Sequence, residues 1–306
     1  MTEGLALGVD IGGTRTKLGL ISRRGEILRS SVFSSQGFSQ PQEFVQALVD
    51  QIHSFLTPQE AQSLLGVGVG APNANPHLGK MIQPTHFPWE EVDLSRPLQE
   101  ALAKSVVLDN DACVAGFGEQ LWGQAQGCQN FAVLTLGTGV GVSVFVQGQV
   151  LRGPGGVNGE FGHFPLFAEG RPCACGGQGG HLEPYLSVSG MLQTIKETGG
   201  LELTWPEVLD RFLQPQVEPS LEEALREVAQ QLGRALATLH VICGPERFIL
   251  SGGGSLLGQR FCNWTQEALE IYTFPSFRGQ AQVRVSEISS EAGAVLGAAA
   301  LAFFRH

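Results

Sequence analysis

The chain has 306 residues, enough for two domains with full hydrophobic cores or for one large one. Apolar residues make up 42% and charged residues 16%, a balance that excludes a disordered chain. The formal net charge is −10 with no run of Lys or Arg, which argues against a nucleic-acid surface; no apolar stretch reaches the length of a membrane span and the first residues carry no signal-peptide pattern, so a cytoplasmic protein is expected.

Leu5 to Val9 is an apolar run that ends at Asp10. Ile11-Gly12-Gly13-Thr14-Arg15-Thr16-Lys17 follows, then a second apolar run, Leu18 to Ile21. The pattern predicts strand, glycine turn, strand. A carboxylate at Asp10 can hold a Mg²⁺ that accompanies phosphates. Gly12 and Gly13 let the backbone come close to a ligand, and Thr14 adds a hydroxyl. The spacing is neither a P-loop nor a dinucleotide fingerprint, and it equally suits an ordinary hairpin.

Pro41 to Leu56 reads as a helix, because Phe44, Leu48, Ile52 and Phe55 fall on one face, with Ser39 as a candidate cap. Leu65 to Val69 reads as a strand that ends in Gly70-Ala71-Pro72-Asn73. The stretch from Asn75 to Pro97 reads as an irregular connection, in which Phe87-Pro88-Trp89 forms either a site wall or plain packing. Leu98 to Ala103 reads as a short helix and Val106 to Leu108 as a buried strand. That strand runs into Asp109-Asn110-Asp111, where open α/β sheets carry chemistry. Asn110 and Asp111 can bind a polyol, and Asp111 can take a proton from an attacking hydroxyl. Either residue can also cap the helix expected over Ala112 to Trp122.

Phe131 to Val146 repeats the opening design around Gly137, Thr138, Gly139 and Gly141. After the glycine loop Gly153 to Gly156 comes Asn158-Gly159-Glu160-Phe161-Gly162-His163, where Glu160 and His163 share one turn. Glu160 can accept sugar hydroxyls, and His163 can bind a metal through one nitrogen while the other orients a substrate. His163, Cys173, Cys175 and His181 make a four-ligand zinc set with no open position, hence a structural site. A loop with two unpaired thiols is the alternative, since a disulfide does not suit a reducing compartment. The other cysteines, Cys113, Cys128, Cys243 and Cys262, are scattered among apolar residues and read as buried thiols.

The strongest helical pattern spans Leu221 to Val241, with Leu225, Val228, Leu232, Ala235, Leu236 and Leu239 as its stripe. Phe248 to Leu250 is a strand that leads into Gly252-Gly253-Gly254 and a helix whose N-terminus suits nucleotide phosphates. A short strand, Val283 to Val285, and an Ala- and Gly-rich helix from about Glu291 to Phe304 close the chain. Three strand-linked glycine turns and a carboxylate pair at a strand end point to an α/β fold of two lobes with an active-site cleft between them. The chemistry they imply is phosphoryl transfer to a hydroxyl.

In this order the motifs resemble the ROK family of sugar kinases, within the actin-like (ribonuclease H-like) ATPases, almost end to end. The matches are Asp10-Ile11-Gly12-Gly13-Thr14 with Lys17, Asn110-Asp111-Ala112, Leu136-Gly137-Thr138-Gly139-Val140-Gly141, Gly159-Glu160-Phe161-Gly162-His163, Cys173-Ala174-Cys175-Gly176 and Leu182-Glu183. The resemblance implies an ATP-dependent hexose kinase acting at the 6-hydroxyl, with glucose as the leading substrate. It makes Asp111 the catalytic base. Asn110, Glu160, His163 and Glu183 correspond to sugar ligands, and Thr14, Thr138, Gly139, Gly253 and Gly254 to nucleotide turns. It also implies Mg-ATP, a structural zinc and a homodimer. N-acetylglucosamine or N-acetylmannosamine kinase and fructokinase are the alternative activities. A sugar-responsive regulator or a binding protein is the alternative outside catalysis, and the strand expected at Leu5 leaves no room for a preceding DNA-binding helix pair.

The chain departs from the family in two places. A third cysteine of the metal loop is absent, and His181 is expected to replace it. His86-Phe87-Pro88-Trp89 stands where the family often has Asn-Leu-Pro-Trp. The smaller lobe is expected over residues 1–112 with 289–306, and the larger over 113–288.

Overall fold

The computed structural model describes residues 4–84, 86–153, 159–177 and 179–304. It divides into two compact units. The first takes the residues up to Gln126, Arg152 with Gly153, and the segment from Ile288 on; the second takes Gly127–Leu151 and Gly159–Glu287.

In the first unit, strands β1 (Leu5–Ile11), β2 (Arg15–Ser22) and β3 (Ile27–Ser34) form an antiparallel meander. Helix α1 (Pro41–Phe55) and the short α2 (Pro58–Ser63) lead into β4 (Leu64–Gly70), which pairs parallel to β1. The expected irregular segment instead contains a small antiparallel sheet of β5 (Ala74–Asn75), β6 (Lys80–Ile82) and β7 (Glu91–Asp93). Strands of two or three residues are too short to show a period. Helix α3 (Ser95–Leu102) starts three residues before the expected position, and β8 (Ser105–Asp109) completes a sheet of order β3-β2-β1-β4-β8. Helix α4 (Asp111–Trp122) follows at once.

The face of α1 is as expected: Phe44, Leu48 and Ile52 are fully buried in one core with Leu7, Val9, Leu18 and Val69. Its cap is Gln40 rather than Ser39, whose N–H donates to Glu43 Oε2 at 2.9 Å. Trp89 joins the same core and stacks on Phe87 with centroids 5.0 Å apart, which is a packing role.

The C-terminal helix Ser290–Phe304 lies on this sheet. Its approach depends on residues without side chains: a Cβ on Gly8 would collide with the Val295 carbonyl oxygen, and one on Gly68 with that of Ala298. Helix α4, assigned from sequence to the larger lobe, packs within the first unit, where Val114 shares a cluster with Ala298 and Leu301.

The second unit repeats the plan. Strands β9 (Phe131–Leu136) and β10 (Val140–Val146) form the hairpin, with β11 (Gln149–Val150) beyond it. Helices α5 (Glu183–Leu186), α6 (Val188–Gly199), α7 (Trp205–Phe212) and α8 (Pro219–Cys243) come next. Then β12 (Arg247–Ser251), α9 (Gly258–Tyr272) and β13 (Gln282–Val285) give the order β11-β10-β9-β12-β13. Among the described residues, each unit thus carries a five-stranded sheet with an antiparallel hairpin on one side and parallel strands on the other. The apolar stripe read on α8 is buried throughout and forms the centre of this unit's core. No helix among the described residues is long and apolar enough to cross a membrane.

Gly68→Ala is expected to destabilise the protein by about 3 kcal/mol, because the new methyl has backbone on its path. Gly293→Ala, whose Cβ would meet only Ile288 Cγ2 at 3.5 Å, is expected to gain about 0.5–1 kcal/mol from helix propensity. Urea unfolding of the two variants measures both signs.

Candidate functional site

In the first unit the β1–β2 turn closes through Gly12 N–H to the Arg15 carbonyl at 3.0 Å. Asp10 lies opposite Lys17 in the hairpin register and beside Gly70 of β4. Burial pushes the Asp10 carboxyl up to about 6; Lys17 opposes the rise and the Asp111 carboxylate adds to it. Asp10 and Asp111 are therefore electrostatic neighbours, although they are far apart in sequence.

The end of β8 shows which residue caps α4. Asn110 Oδ1 accepts the Cys113 N–H at 2.8 Å, so Asn110 is the N-cap and its amide nitrogen is left as a donor. Asp111 is the first helical residue, and its Oδ1 accepts the adjacent Ala112 N–H at 2.9 Å. Asp111 is exposed as a residue, yet burial around its carboxyl raises its pKa above the usual carboxylate range. His86, with a left-handed φ of 70°, sits directly against Gly13 of the first turn.

In the second unit, Gly137 N–H donates to the Gly139 carbonyl at 2.9 Å, which closes the β9–β10 turn and leaves Thr138 exposed. Glu183, at the start of α5, lies under this turn. Its Oε2 accepts the Val140 N–H at 2.9 Å, and a Cβ on Gly139 would fall 2.6 Å from the same oxygen. Gly252 and Gly254 pack on Leu136, so the glycine turns after β9 and β12 are neighbours, and the Trp205 indole N–H donates to the Gly253 carbonyl at 3.2 Å.

His163, Cys173, Cys175 and His181 converge as expected: their ligand atoms all lie within 4.8 Å of one another. Cys173 Sγ is 3.5 Å from His163 Nδ1, and Cys175 Sγ is 3.3 Å from His181 Nδ1. Ordinary zinc bond lengths at a tetrahedral angle put sulfur and nitrogen ligands about 3.6 Å apart, so two sulfurs and two Nδ1 atoms fit zinc. Burial pushes the Cys173 thiol up, a cost that a bound cation would remove. All six cysteines are free; Cys243 is half-buried rather than buried, and Cys175 is exposed. His163 Nε2 points the other way and lies 3.8 Å from Glu160 Oε2, so one ring nitrogen faces the cluster and the other the carboxylate. The loop is fastened by Arg171, whose guanidinium donates to the Pro184 and Gly190 carbonyls at 2.9 and 3.0 Å. The part of the glycine loop from 154 to 158, and Gln178, lie outside the described residues.

Sequence reasoning passed over Arg152. Its guanidinium grips the Asp109 carboxylate, with Nη1 3.0 Å from Oδ1 and Nη2 on Oδ2. The partners are 43 residues apart, so no local pattern marks them.

Two α/β units of one strand order, each with a glycine turn in its leading hairpin, define the actin-like ATPase class. Within that class, the chain belongs to the ROK family, whose profile matches residues 6–304. It is 28% identical over 313 residues to a glucokinase of Halalkalibacterium halodurans, covering 97% of this chain and 94% of that one. It is 26% identical over 312 residues to a xylose repressor of Caldicellulosiruptor bescii, covering 97% of this chain and 78% of that one. Among solved structures, a ROK family glucokinase from Streptomyces griseus in complex with glucose and AMPPNP superposes with a TM-score of 0.77 at 27% identity, covering 98% of this chain and 100% of that one. At the level of the family these matches support an ATP-dependent sugar-kinase reaction on a hexose; the family also contains regulators.

Purified protein is expected to carry about one zinc per chain by elemental analysis, and Cys173→Ser to lose it. Metal-free wild-type protein with unchanged thermal stability would contradict a structural zinc.

Proposed function

We propose that the chain is a glucokinase that transfers the γ-phosphoryl group of Mg-ATP to the 6-hydroxyl of glucose. The observation that carries this reading is the division of labour at the start of α4. Asn110 does the capping, and Asp111 is left as an accessible carboxylate of raised pKa, an electrostatic neighbour of Asp10, whose pKa is also raised. A base of raised pKa is a better partner for a hydroxyl proton than an ordinary carboxylate. The glucokinase relatives support glucose as the acceptor.

The reaction is a direct in-line displacement. The sugar oxygen attacks the γ-phosphorus, the bond to the β-phosphate oxygen breaks, ADP leaves and Asp111 takes the hydroxyl proton. Asn110, Glu160, His163 and Glu183 are the proposed sugar ligands. Asp10, Gly12, Gly13, Thr14, Lys17, Thr138, Gly139, Gly253 and Gly254 are the proposed nucleotide residues, with Asp10 serving the Mg²⁺. A zinc ion held by His163, Cys173, Cys175 and His181 would have no open position and would act by fixing the ring of His163 and the loop that leads to Glu183. A cytoplasmic homodimer without nucleic-acid or membrane partners completes the reading. The similarity to a xylose repressor favours a second one, a sugar-binding regulator, which would bind a hexose and turn over no ATP.

Asp111→Asn is expected to lower kcat at least a thousandfold while glucose binding stays within about tenfold. In the wild type, the acidic limb of kcat/KM should lie above the usual carboxylate range, because raised carboxyls must lose protons before they act and that of Asp10 rises to about 6. Steady-state kinetics with calorimetric binding measure both. Full turnover by Asp111→Asn would refute the base.

A further inference from the structure

The ion pair behind Asn110 and Asp111 lies outside every role assigned above. Asp109 is the last residue of β8 and its side chain is 2% exposed; that of Arg152 is 20% exposed. Asp109 Oδ1 accepts two donors, Arg152 Nη1 at 3.0 Å and the Asn110 backbone N–H at 2.9 Å. The Asp109 carbonyl accepts the Ala71 N–H at 3.0 Å, which ties the same residue to the end of β4. Asp109 thus holds the peptide that joins strand to helix, and Arg152 holds Asp109.

A buried ion pair is a poor source of stability. Desolvating both charges offsets most of their attraction, and apolar replacements of similar volume are often neutral or stabilising. Its placement at this corner calls for another reason. The next residue along the chain is the N-cap, and the one after it carries the carboxylate in question. A bidentate guanidinium fixes both the plane and the direction of a carboxylate, which a lysine point charge does not. Arg152 reaches this corner from outside β8 and α4: it follows β11 and, with Gly153, belongs to the first unit, whereas the preceding Gly127–Leu151 belongs to the second.

We propose that Arg152 is a positioning residue which, through its two-point grip on Asp109, fixes the β8–α4 corner and so aims Asn110 and Asp111 at the hexose. The inference rests on the kinase reading and deepens it. Misplacing a reacting group by about 1 Å costs on the order of a hundredfold in rate.

The test compares Arg152→Lys, Arg152→Ala and the double variant Arg152→Met with Asp109→Leu, beside Asp111→Asn, by melting temperature, kcat and glucose KM. The double variant should melt close to the wild type, while its kcat falls on the order of 10- to 100-fold and more than its KM changes. Arg152→Lys should be intermediate. Ethylguanidinium added to Arg152→Ala should restore part of kcat, which a merely structural role would not produce in protein that is already folded; this arm decides the matter if the double variant does not fold. A stably folded double variant with wild-type kcat, or absence of rescue in folded Arg152→Ala, would overturn the positioning role alone. Wild-type protein that turns over no hexose would overturn the kinase reading, and this role with it.

Discussion

Two carboxylates of raised pKa in one unit set the central constraint on this protein. Asp10 and Asp111 lie where burial disfavours their charged forms, and the charge of Asp111 makes Asp10 harder still to ionise. Lys17, across the hairpin from Asp10, offsets only part of that cost. A folded chain keeps such an arrangement only if the surrounding structure over-determines it. The first unit does so with a fully buried core on one face of the sheet and, on the other, a C-terminal helix drawn close at Gly8 and Gly68. A divalent cation held at Asp10, as the proposed reaction requires, would add to the positive charge that Lys17 supplies.

The second unit solves a different problem, that of fixing loops. Its turn after β9 has little hydrophobic anchorage of its own, with Thr138 exposed and glycines on both sides. Glu183 supplies the anchor from below by accepting the Val140 N–H, and the Val188 N–H donates to the Gly137 carbonyl at 2.9 Å. Glu183 in turn follows the loop that carries Cys173, Cys175 and His181, which Arg171 staples to α5 and α6. The turn and the loop of the metal-ligand cluster are thus both tied to the segment that begins at Glu183.

The sequence exposed those parts of the fold that repeat or carry a period. The strand–glycine–strand pattern occurs twice in a chain whose two sheets share one order, and the α8 stripe is buried at every position read. Strand β3 escaped because most of its residues face solvent and no alternation survives, and β5 to β7 because two or three residues make no pattern. The convergence of His163 with the cysteines and His181 was legible because four ligand residues, two His and two Cys, fall within 19 residues. The competition between capping and chemistry at Asn110 and Asp111 was not, since both residues suit either task and only the backbone direction at the helix start separates them. Arg152 was invisible for a simpler reason: an ion pair across 43 residues leaves no local trace.

The central claim is that this chain moves a phosphoryl group from ATP to a hexose. The measurement that tests it most directly is ADP release from Mg-ATP by zinc-replete protein against glucose, N-acetylglucosamine, N-acetylmannosamine, mannose and fructose. The expected result is sugar-dependent release, with the highest kcat/KM for glucose. Preference for an N-acetylated sugar would overturn the substrate and leave the reaction standing. No sugar-dependent release with any of the five, from protein that binds a hexose, would contradict the account and favour a regulator.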